Sequence, residues 1–185
     1  LSFSPACALA RMPVHVGTVV AGGPRMFQTC ATMAGASQTS IAPVRLAVSG
    51  AAPLPTEVGL AFEGRFGITV FQGYGLTEAS PTVTSSVVTG KAKSNSIGLP
   101  LPGLEVRLVD EEGEDALAGD RGEIWVRGPN VFAGYWNDPE ATAAVLTPDG
   151  WLQPGDLAGA GGAGYFCRVH RAQEPPLRPG LPFGT

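Results

Sequence analysis

An apolar run followed by a glycine-rich stretch is the feature that most constrains this chain. Residues 68–71 are mainly apolar and predict a strand, and residues 72–78 then supply two glycines, an aromatic ring, a hydroxyl and a carboxylate. A strand that ends in this way presents its polar groups at the sheet edge where open α/β sheets bind ligands. From the residues alone, a Gly-rich turn before a polar helix start is an equally good interpretation.

Several groups in this stretch could contact a nucleotide. Gly73 and Gly75 would let the backbone approach a ligand closely, and a base could stack on Tyr74, which is worth roughly 1–3 kcal/mol. Thr77 could donate to a phosphate. Glu78 could hold a magnesium ion that keeps several of its waters.

The preceding residues predict a β-α-β unit. Residues 44–48 alternate as a strand, and apolar residues between 54 and 62 recur at helical spacing, with Gly64 and Gly67 expected to end the helix. The crossover to the strand at 68–71 is expected to be right-handed, so both strands end at one edge of the sheet. We therefore expect the Gly-Ala-Ala run that follows the first strand to lie beside the glycine-rich stretch.

The second half of the chain predicts antiparallel strands. Residues 104–108 and 123–127 alternate in hydrophobicity, which indicates a small β subdomain packed on the α/β body. The charges of these strands favour a solvated face over a binding role. Residues 79–96 are rich in Ser, Thr and Val and predict a loop.

Two prolines predict helix starts, because proline fits the first turn of a helix. Pro24 follows a short apolar segment at 18–21 that predicts a buried strand. Pro139 follows Asp138, a typical N-cap, and its helix is expected to end near residue 145.

Composition excludes several classes of protein. The chain has 185 residues, enough for one domain or a piece of a larger protein, and its 44% hydrophobic content is typical of a globular fold. A net charge of −4 and only two lysines argue against nucleic-acid binding, and no apolar run is long enough for a membrane span. Three dispersed cysteines favour a reducing cytoplasm. Because the first residue is Leu1, we expect a fragment.

Four motifs in order resemble the adenylate-forming (AMP-binding) superfamily, which includes the acyl-CoA synthetases. Residues 72–78 resemble its YGxTE motif, residues 49–54 its SGGAPL segment, residues 122–128 its GEIWVRG strand, and residues 150–157 its GW(x)xTGDL loop. The closest resemblance is to long-chain fatty-acid–CoA ligases. It implies an α/β fold that is part of the family's large domain, with a β-α-β unit in a mixed sheet, a small antiparallel β subdomain and a degenerate C-terminal tail.

The resemblance also implies a division of the chain. Residues 1–96 would form a partial nucleotide-binding α/β subdomain, and residues 97–158 the small β subdomain with the ribose loop. Residues 159–185 would be a hinge remnant that ends in a disordered tail, since its prolines cannot donate to a sheet.

The resemblance assigns roles to particular residues. Asp156 would accept the ribose hydroxyls, although a turn residue is the better interpretation of an isolated Gly-Asp pair. The implied nucleotide contacts are Gly50, Ala51, Ala52, Gln72, Gly73, Tyr74, Gly75, Asp156 and Arg171, the implied catalytic residues are Thr77 and Glu78, and Glu78 is the implied metal ligand.

The implied reaction joins a fatty acid or other carboxylate to coenzyme A through an acyl-adenylate, using ATP and Mg²⁺ and releasing first pyrophosphate and then AMP. The sequence departs from the family pattern where Pro154 replaces Thr, where His170 replaces Asp, and where Gln173 replaces the lysine of the mobile lid. The family's lysine-bearing phosphate loop would lie upstream of these residues. We therefore expect weak AMP or ATP binding and no acyl-adenylate formation by the 185 residues alone.

Three functions remain open at this stage. The chain could be a fatty-acid–CoA ligase or a piece of one, a non-catalytic remnant or partner chain that docks with a complementing synthetase fragment, or a nucleotide-binding regulatory module.

Overall fold

The structure is a computed structural model that describes residues 4–171 except residues 94, 118, 162 and 163. The α-helices are α1 (Pro5–Arg11), α2 (Pro24–Thr32), α3 (Thr56–Phe66) and α4 (Pro139–Val145), and short 3₁₀ helices cover Gln38–Ile41, Thr77–Ala79 and Ser86–Thr89. The strands are β1 (Val19–Gly22), β2 (Leu46–Ser49), β3 (Val70–Gly75), β4 (Thr82–Ser85), β5 (Ser96–Pro100), β6 (Glu105–Val109), β7 (Arg121–Arg127), β8 (Asp156–Ala160) and β9 (Phe166–Arg171).

The described strands form one mixed sheet in the order β1-β2-β3-β4-β5-β9-β8-β7-β6. Strands β1, β2 and β3 are parallel, and the other neighbours are antiparallel. The predicted α/β class is confirmed, as is the β-α-β unit formed by β2, α3 and β3. As expected, β2 and β3 end at the same edge of the sheet.

Strand β4 was not predicted, and the expectation of a loop over residues 79–96 is wrong. Val83 and Thr84 are fully buried, because β4 lies between β3 and β5. The Thr84 hydroxyl donates to the Ile97 carbonyl at 2.8 Å, so its polar group is satisfied inside the sheet. Because these Ser and Thr side chains find hydrogen-bond partners within the sheet, the strand can be as rich in polar residues as a loop. Its composition therefore predicted a loop.

Strand β3 extends through the glycine-rich stretch instead of ending before it. A Cβ atom at Gly73 would lie 2.8 Å from the carbonyl oxygen of Thr84, and one at Gly75 would lie 2.0 Å from that of Pro81. Both glycines are therefore required by the close approach of the chain on the β4 side. The predicted close approach of the backbone to a ligand is therefore not needed to account for glycine at these two positions.

Helix α3 continues past one of the two glycines that were expected to end it. Gly64 lies within the helix, and Gly67 forms the C-cap with φ +72°. The other predicted helix boundary is confirmed: the Asp138 side chain accepts a hydrogen bond from the backbone N–H of Ala141 at 2.9 Å, and α4 ends at Val145.

Two hydrophobic clusters stabilise the sheet. One packs α2 and α3 on the parallel strands and includes Phe27, whose ring centroid lies 5.1 Å from that of Phe62. The other lies in the antiparallel part and includes Ile124 and Leu152, both fully buried. The division of the chain at residue 96 stays a prediction.

Part of the predicted C-terminal tail belongs to the sheet. Strand β8 includes residues 159 and 160, and β9 pairs with both β5 and β8. The predicted disorder of residues 172–185 concerns residues outside the described part of the chain.

Candidate functional site

A cleft of about 500 Å³ lies at the carboxyl ends of the parallel strands. It is bounded by the loop after β2, by the end of β3 with the 3₁₀ helix that follows it, and by single residues of β5 and β8. Its lining residues are Ala51, Ala52, Pro53, Gln72, Gly73, Tyr74, Gly75, Leu76, Thr77, Glu78, Ile97 and Asp156. The cleft thus brings together most of the residues predicted from the sequence.

Tyr74 and Asp156 are in direct contact although they are 82 positions apart in the chain. The Tyr74 hydroxyl donates to Oδ2 of Asp156 at 2.6 Å. Asp156 is 7% exposed and follows Gly155, whose φ of +75° turns the chain into β8. The predicted base-stacking ring and the predicted ribose acceptor therefore form one wall of the cleft.

The carboxylate of Glu78 is held by a residue that the sequence did not single out for a role. The Tyr135 hydroxyl donates to Oε1 of Glu78 at 2.6 Å, and the backbone N–H of Phe132 donates to the Glu78 carbonyl at 2.8 Å. The Phe132 and Tyr135 rings pack edge to face, with 4.9 Å between their centroids. Thr77, at the start of the same 3₁₀ helix, is exposed.

Gln72 links β3 to the loop after β2. Its Oε1 accepts a hydrogen bond from the backbone N–H of Leu54 at 3.0 Å, while the Ser86 hydroxyl contacts both the N–H and the carbonyl of Gln72. Ala51 lines the cleft with a positive φ of 67°, a conformation that L-residues rarely adopt. Gly50 does not line the cleft, and its N–H donates to the Gly22 carbonyl at 3.1 Å.

The charges on the antiparallel strands were expected to form a solvated face, and one of them departs from that expectation. Glu105 pairs with Arg127 at the surface, at 2.7 Å, and the guanidinium lowers the pKa of that carboxyl. Glu123 instead accepts a hydrogen bond from the backbone N–H of Gly155 at 2.8 Å, next to the predicted ribose acceptor. The alternating pattern of β7 did not predict this contact, because the contact depends on how the loop before Asp156 folds, 32 positions later in the chain.

Arg171, the remaining predicted nucleotide contact, is placed only by its backbone. It is the register partner of Asp156 in the β8–β9 pair, and its side chain lies outside the described part of the structure.

The cleft is acidic in its described lining. It contains the carboxylates of Glu78 and Asp156 and no described lysine or arginine. No group of three or more metal-ligating side chains is found among the described residues. Magnesium is commonly held by one or two carboxylates together with substrate phosphates and water. The single carboxylate of Glu78 could therefore bind Mg²⁺ only together with the phosphates of a bound nucleotide.

A second concavity lies away from this cleft. It has a volume of about 470 Å³ and is bordered by α3 and by both lysines of the chain, Lys91 and Lys93. Among the described residues it contains none of the predicted nucleotide contacts except Gln72. Burial raises the pKa of the Cys30 thiol, which lies in the α/β core and does not line either concavity.

Comparison with known proteins identifies the family. The family described as AMP-binding enzyme matches residues 4–136, which is most of the chain. The chain belongs to this family. A long-chain-fatty-acid–CoA ligase of Yersinia pestis is 39% identical over 166 residues, covering 90% of this chain and 29% of that protein. A feruloyl-CoA synthase of an Amycolatopsis species is 38% identical over 177 residues, covering 94% of this chain and 35% of that protein.

Solved structures with the same fold are also found. The amide bond synthetase McbA of Marinactinospora thermotolerans superimposes with a TM-score of 0.84 at 31% identity, over 93% of this chain and 35% of that one. A malonyl-CoA ligase in a ternary product complex with methylmalonyl-CoA and AMP gives a TM-score of 0.79 at 39% identity, over 91% of this chain and 36% of that one. The chain therefore spans about a third of the length of each of these four proteins.

These matches confirm the resemblance to adenylate-forming acyl-CoA ligases and the partial character of the fold. In the described part of the chain, no helix has the length and apolar character needed to cross a bilayer.

Proposed function

We propose that the chain is the nucleotide-binding part of an ATP-dependent fatty-acid–CoA ligase that acts in the cytoplasm. The single observation that supports this most strongly is the cleft in which Tyr74, Glu78 and Asp156 lie together. An aromatic ring for the base, a carboxylate for the ribose and a second carboxylate for a phosphate-bound magnesium ion are what a nucleotide requires.

Each part of the cleft has a chemical role in this proposal. Tyr74 and the loop residues Ala51 and Ala52 bind the adenine, and Asp156 orients the ribose. Thr77 donates to the α-phosphate, and Glu78 holds Mg²⁺ on the phosphates of ATP. When bound, the magnesium ion neutralises the negative charge of the departing pyrophosphate. A fatty acid is the proposed carboxylate substrate and coenzyme A the proposed acceptor.

The same geometry predicts that the chain by itself is a poor catalyst. Two carboxylates line the cleft and none of its described lining residues is basic, so a triphosphate is repelled unless magnesium accompanies it. Removing one preorganised charge partner costs roughly a hundredfold in rate. We therefore propose weak AMP and Mg-ATP binding without measurable acyl-adenylate formation.

Calorimetric titration of the purified chain tests this proposal, after a thermal melt has shown a cooperative transition. We expect AMP to bind, Mg-ATP to bind more tightly than ATP in chelator, and Asp156→Ala or Tyr74→Ala to abolish AMP binding. A well-folded chain that binds neither nucleotide would contradict the proposal. Pyrophosphate release that depends on fatty acid and ATP would show that the chain forms acyl-adenylate by itself and would contradict the proposed lack of activity.

A second candidate is a non-catalytic partner chain that docks with a complementing synthetase fragment. The observation that favours it is the outer edge of β1, where Val19 is 48% exposed on a strand that has a neighbour on one side only among the described strands. Co-purification with a fragment that contains the family's phosphate loop distinguishes this candidate from a free-standing regulatory module.

A further inference from the structure

The carboxylate of Glu123 has a donor on each of its oxygens. Oε1 accepts from the backbone N–H of Gly155 at 2.8 Å, and Oε2 accepts from the indole Nε1 of Trp125 at 3.1 Å. Along β7 the residues on either side of Glu123 are buried, so Glu123 and Trp125 share the opposite face of the strand. Two donors on one carboxylate hold it in a single orientation.

The other backbone anchors of the loop before Asp156 lie two or more residues upstream of Gly155. The N–H groups of Leu152 and Gln153 donate to backbone carbonyls, and Pro154 has no N–H. Gly155 is therefore the last residue before the cleft wall whose N–H can hold the loop. Its positive φ of 75° is the turn that sends the chain into β8.

The contacts continue from this loop into the cleft. Asp156 follows Gly155 directly, and its Oδ2 accepts the Tyr74 hydroxyl. We propose that Glu123 is a positioning residue that sets the orientation of Asp156 for the ribose of a bound nucleotide. This inference rests on the proposed nucleotide-binding function, and it concerns a residue that makes no contact with the cleft itself.

A purely structural role for Glu123 makes a different prediction. The backbone of Glu123 pairs with that of Leu157 in the β7–β8 ladder, and any residue at this position retains that pairing. If the Glu123 side chain only stabilises the fold through its contacts with Trp125 and Gly155, its loss affects every ligand of the cleft alike. If it positions Asp156, its loss affects only ligands that have ribose hydroxyls.

The test compares AMP with 2′,3′-dideoxy-AMP by calorimetry on the full chain. Glu123→Ala is expected to lower AMP affinity about tenfold while leaving dideoxy-AMP affinity unchanged. Glu123→Gln is expected to lose less, because its amide oxygen can still accept from Gly155. The matched control is Glu105→Ala on the neighbouring strand, where the exposed pair with Arg127 is lost and both affinities should stay at the wild-type value.

The proposal would be overturned if Glu123→Ala lowered the affinity for both nucleotides equally, or if it left the affinity for AMP unchanged. Thermal melts establish that each variant is folded, and Glu123→Gln provides the comparison should Glu123→Ala fail to fold.

Amide exchange at Gly155, followed by NMR, tests the contact without any ligand. We expect exchange of this amide to be at least about tenfold faster in Glu123→Ala than in the wild type or Glu105→Ala. An unchanged rate would contradict the positioning contact itself. A wild-type chain that binds neither nucleotide would instead contradict the proposed function, and with it the ribose role, so the two failures are distinguishable.

Discussion

Ala51 adopts a strained backbone conformation at the mouth of the cleft. Its φ of 67° lies in the left-handed region, where a Cβ atom costs roughly 1–2 kcal/mol, and it occupies a position where the SGGAPL segment of the family has glycine. The preceding Gly50 does not have a positive φ among the described backbone angles. The strain is thus concentrated at one residue that lines the cleft.

Replacement of Ala51 by glycine is expected to stabilise the chain. Relief of the positive φ outweighs the extra backbone entropy of glycine, so Ala51→Gly should raise the free energy of unfolding by about 0.5–1 kcal/mol. Urea denaturation measures this. The control is Ala52→Gly, where φ is not positive and a loss of about 0.5–1 kcal/mol is expected. Destabilisation by both substitutions would show that Ala51 is not strained.

Tyr135 is expected to support magnesium-dependent binding through Glu78. Loss of its hydroxyl in Tyr135→Phe removes the 2.6 Å hydrogen bond to the carboxylate and should weaken Mg-ATP binding roughly tenfold, with AMP affinity unchanged. Calorimetry with and without chelator measures the difference. Tyr165→Phe is the control, because the ring of Tyr165 packs against the Lys93 ammonium group, at 4.9 Å, and does not line the cleft. Equal effects of the two substitutions would exclude this role.

At the scale of single elements, α3 shows how position determines the effect of a glycine. A Cβ atom at Gly64 meets no neighbour within 4 Å and would sit on a helical backbone. One at Gly67 would sit on a positive φ of 72° and lie 3.1 Å from Nε2 of Gln38. The two residues are three positions apart and have opposite requirements.

These requirements give opposite predicted effects on stability. Gly64→Ala should raise the free energy of unfolding by about 0.5–1 kcal/mol, because alanine has the higher helix propensity. Gly67→Ala should lower it by about 1 kcal/mol or more, because alanine is strained in the left-handed C-cap. Thermal melts of the pair measure both effects, and a stabilising Gly67→Ala would contradict the assigned cap.

At the scale of the whole molecule, the outer edge of β1 has the exposed apolar character of an interface. Val19 of β1 is 48% exposed, Val14 and Val16 in the turn that precedes the strand are 73% and 65% exposed, and β1 ends the parallel part of the sheet as described. Parallel sheets are normally covered, and open edge strands pair with other chains. This edge is therefore expected to promote self-association of the 185-residue chain.

A lysine at the edge is expected to reduce that association. Val19→Lys should lower the concentration-dependent increase in sedimentation coefficient, because a charged side chain discourages edge pairing. The control is Leu117→Lys, which changes another exposed apolar residue, 74% exposed, outside β1. If the two substitutions reduce association equally, the edge of β1 is not the site of contact.

The local features of this protein were predictable from the sequence by itself. Strands β2, β6 and β7 follow alternating residues, and the start of α4 follows from the N-cap Asp138 with a proline after it. The motif residues of the cleft could also be identified through the resemblance to the family, because each motif is a short continuous segment of the chain. Each of these signals depends on neighbours within a few positions, so sequence determines it.

Only the tertiary structure decided which distant groups meet. It placed Ser- and Thr-rich β4 inside the sheet, and it brought Tyr74 to Asp156 and Tyr135 to Glu78. It also directed Glu123 toward the loop before the cleft wall. Alternation predicts that a strand is present but not which partner a polar side chain will find, because that partner is set by the order and register of strands far apart in the chain.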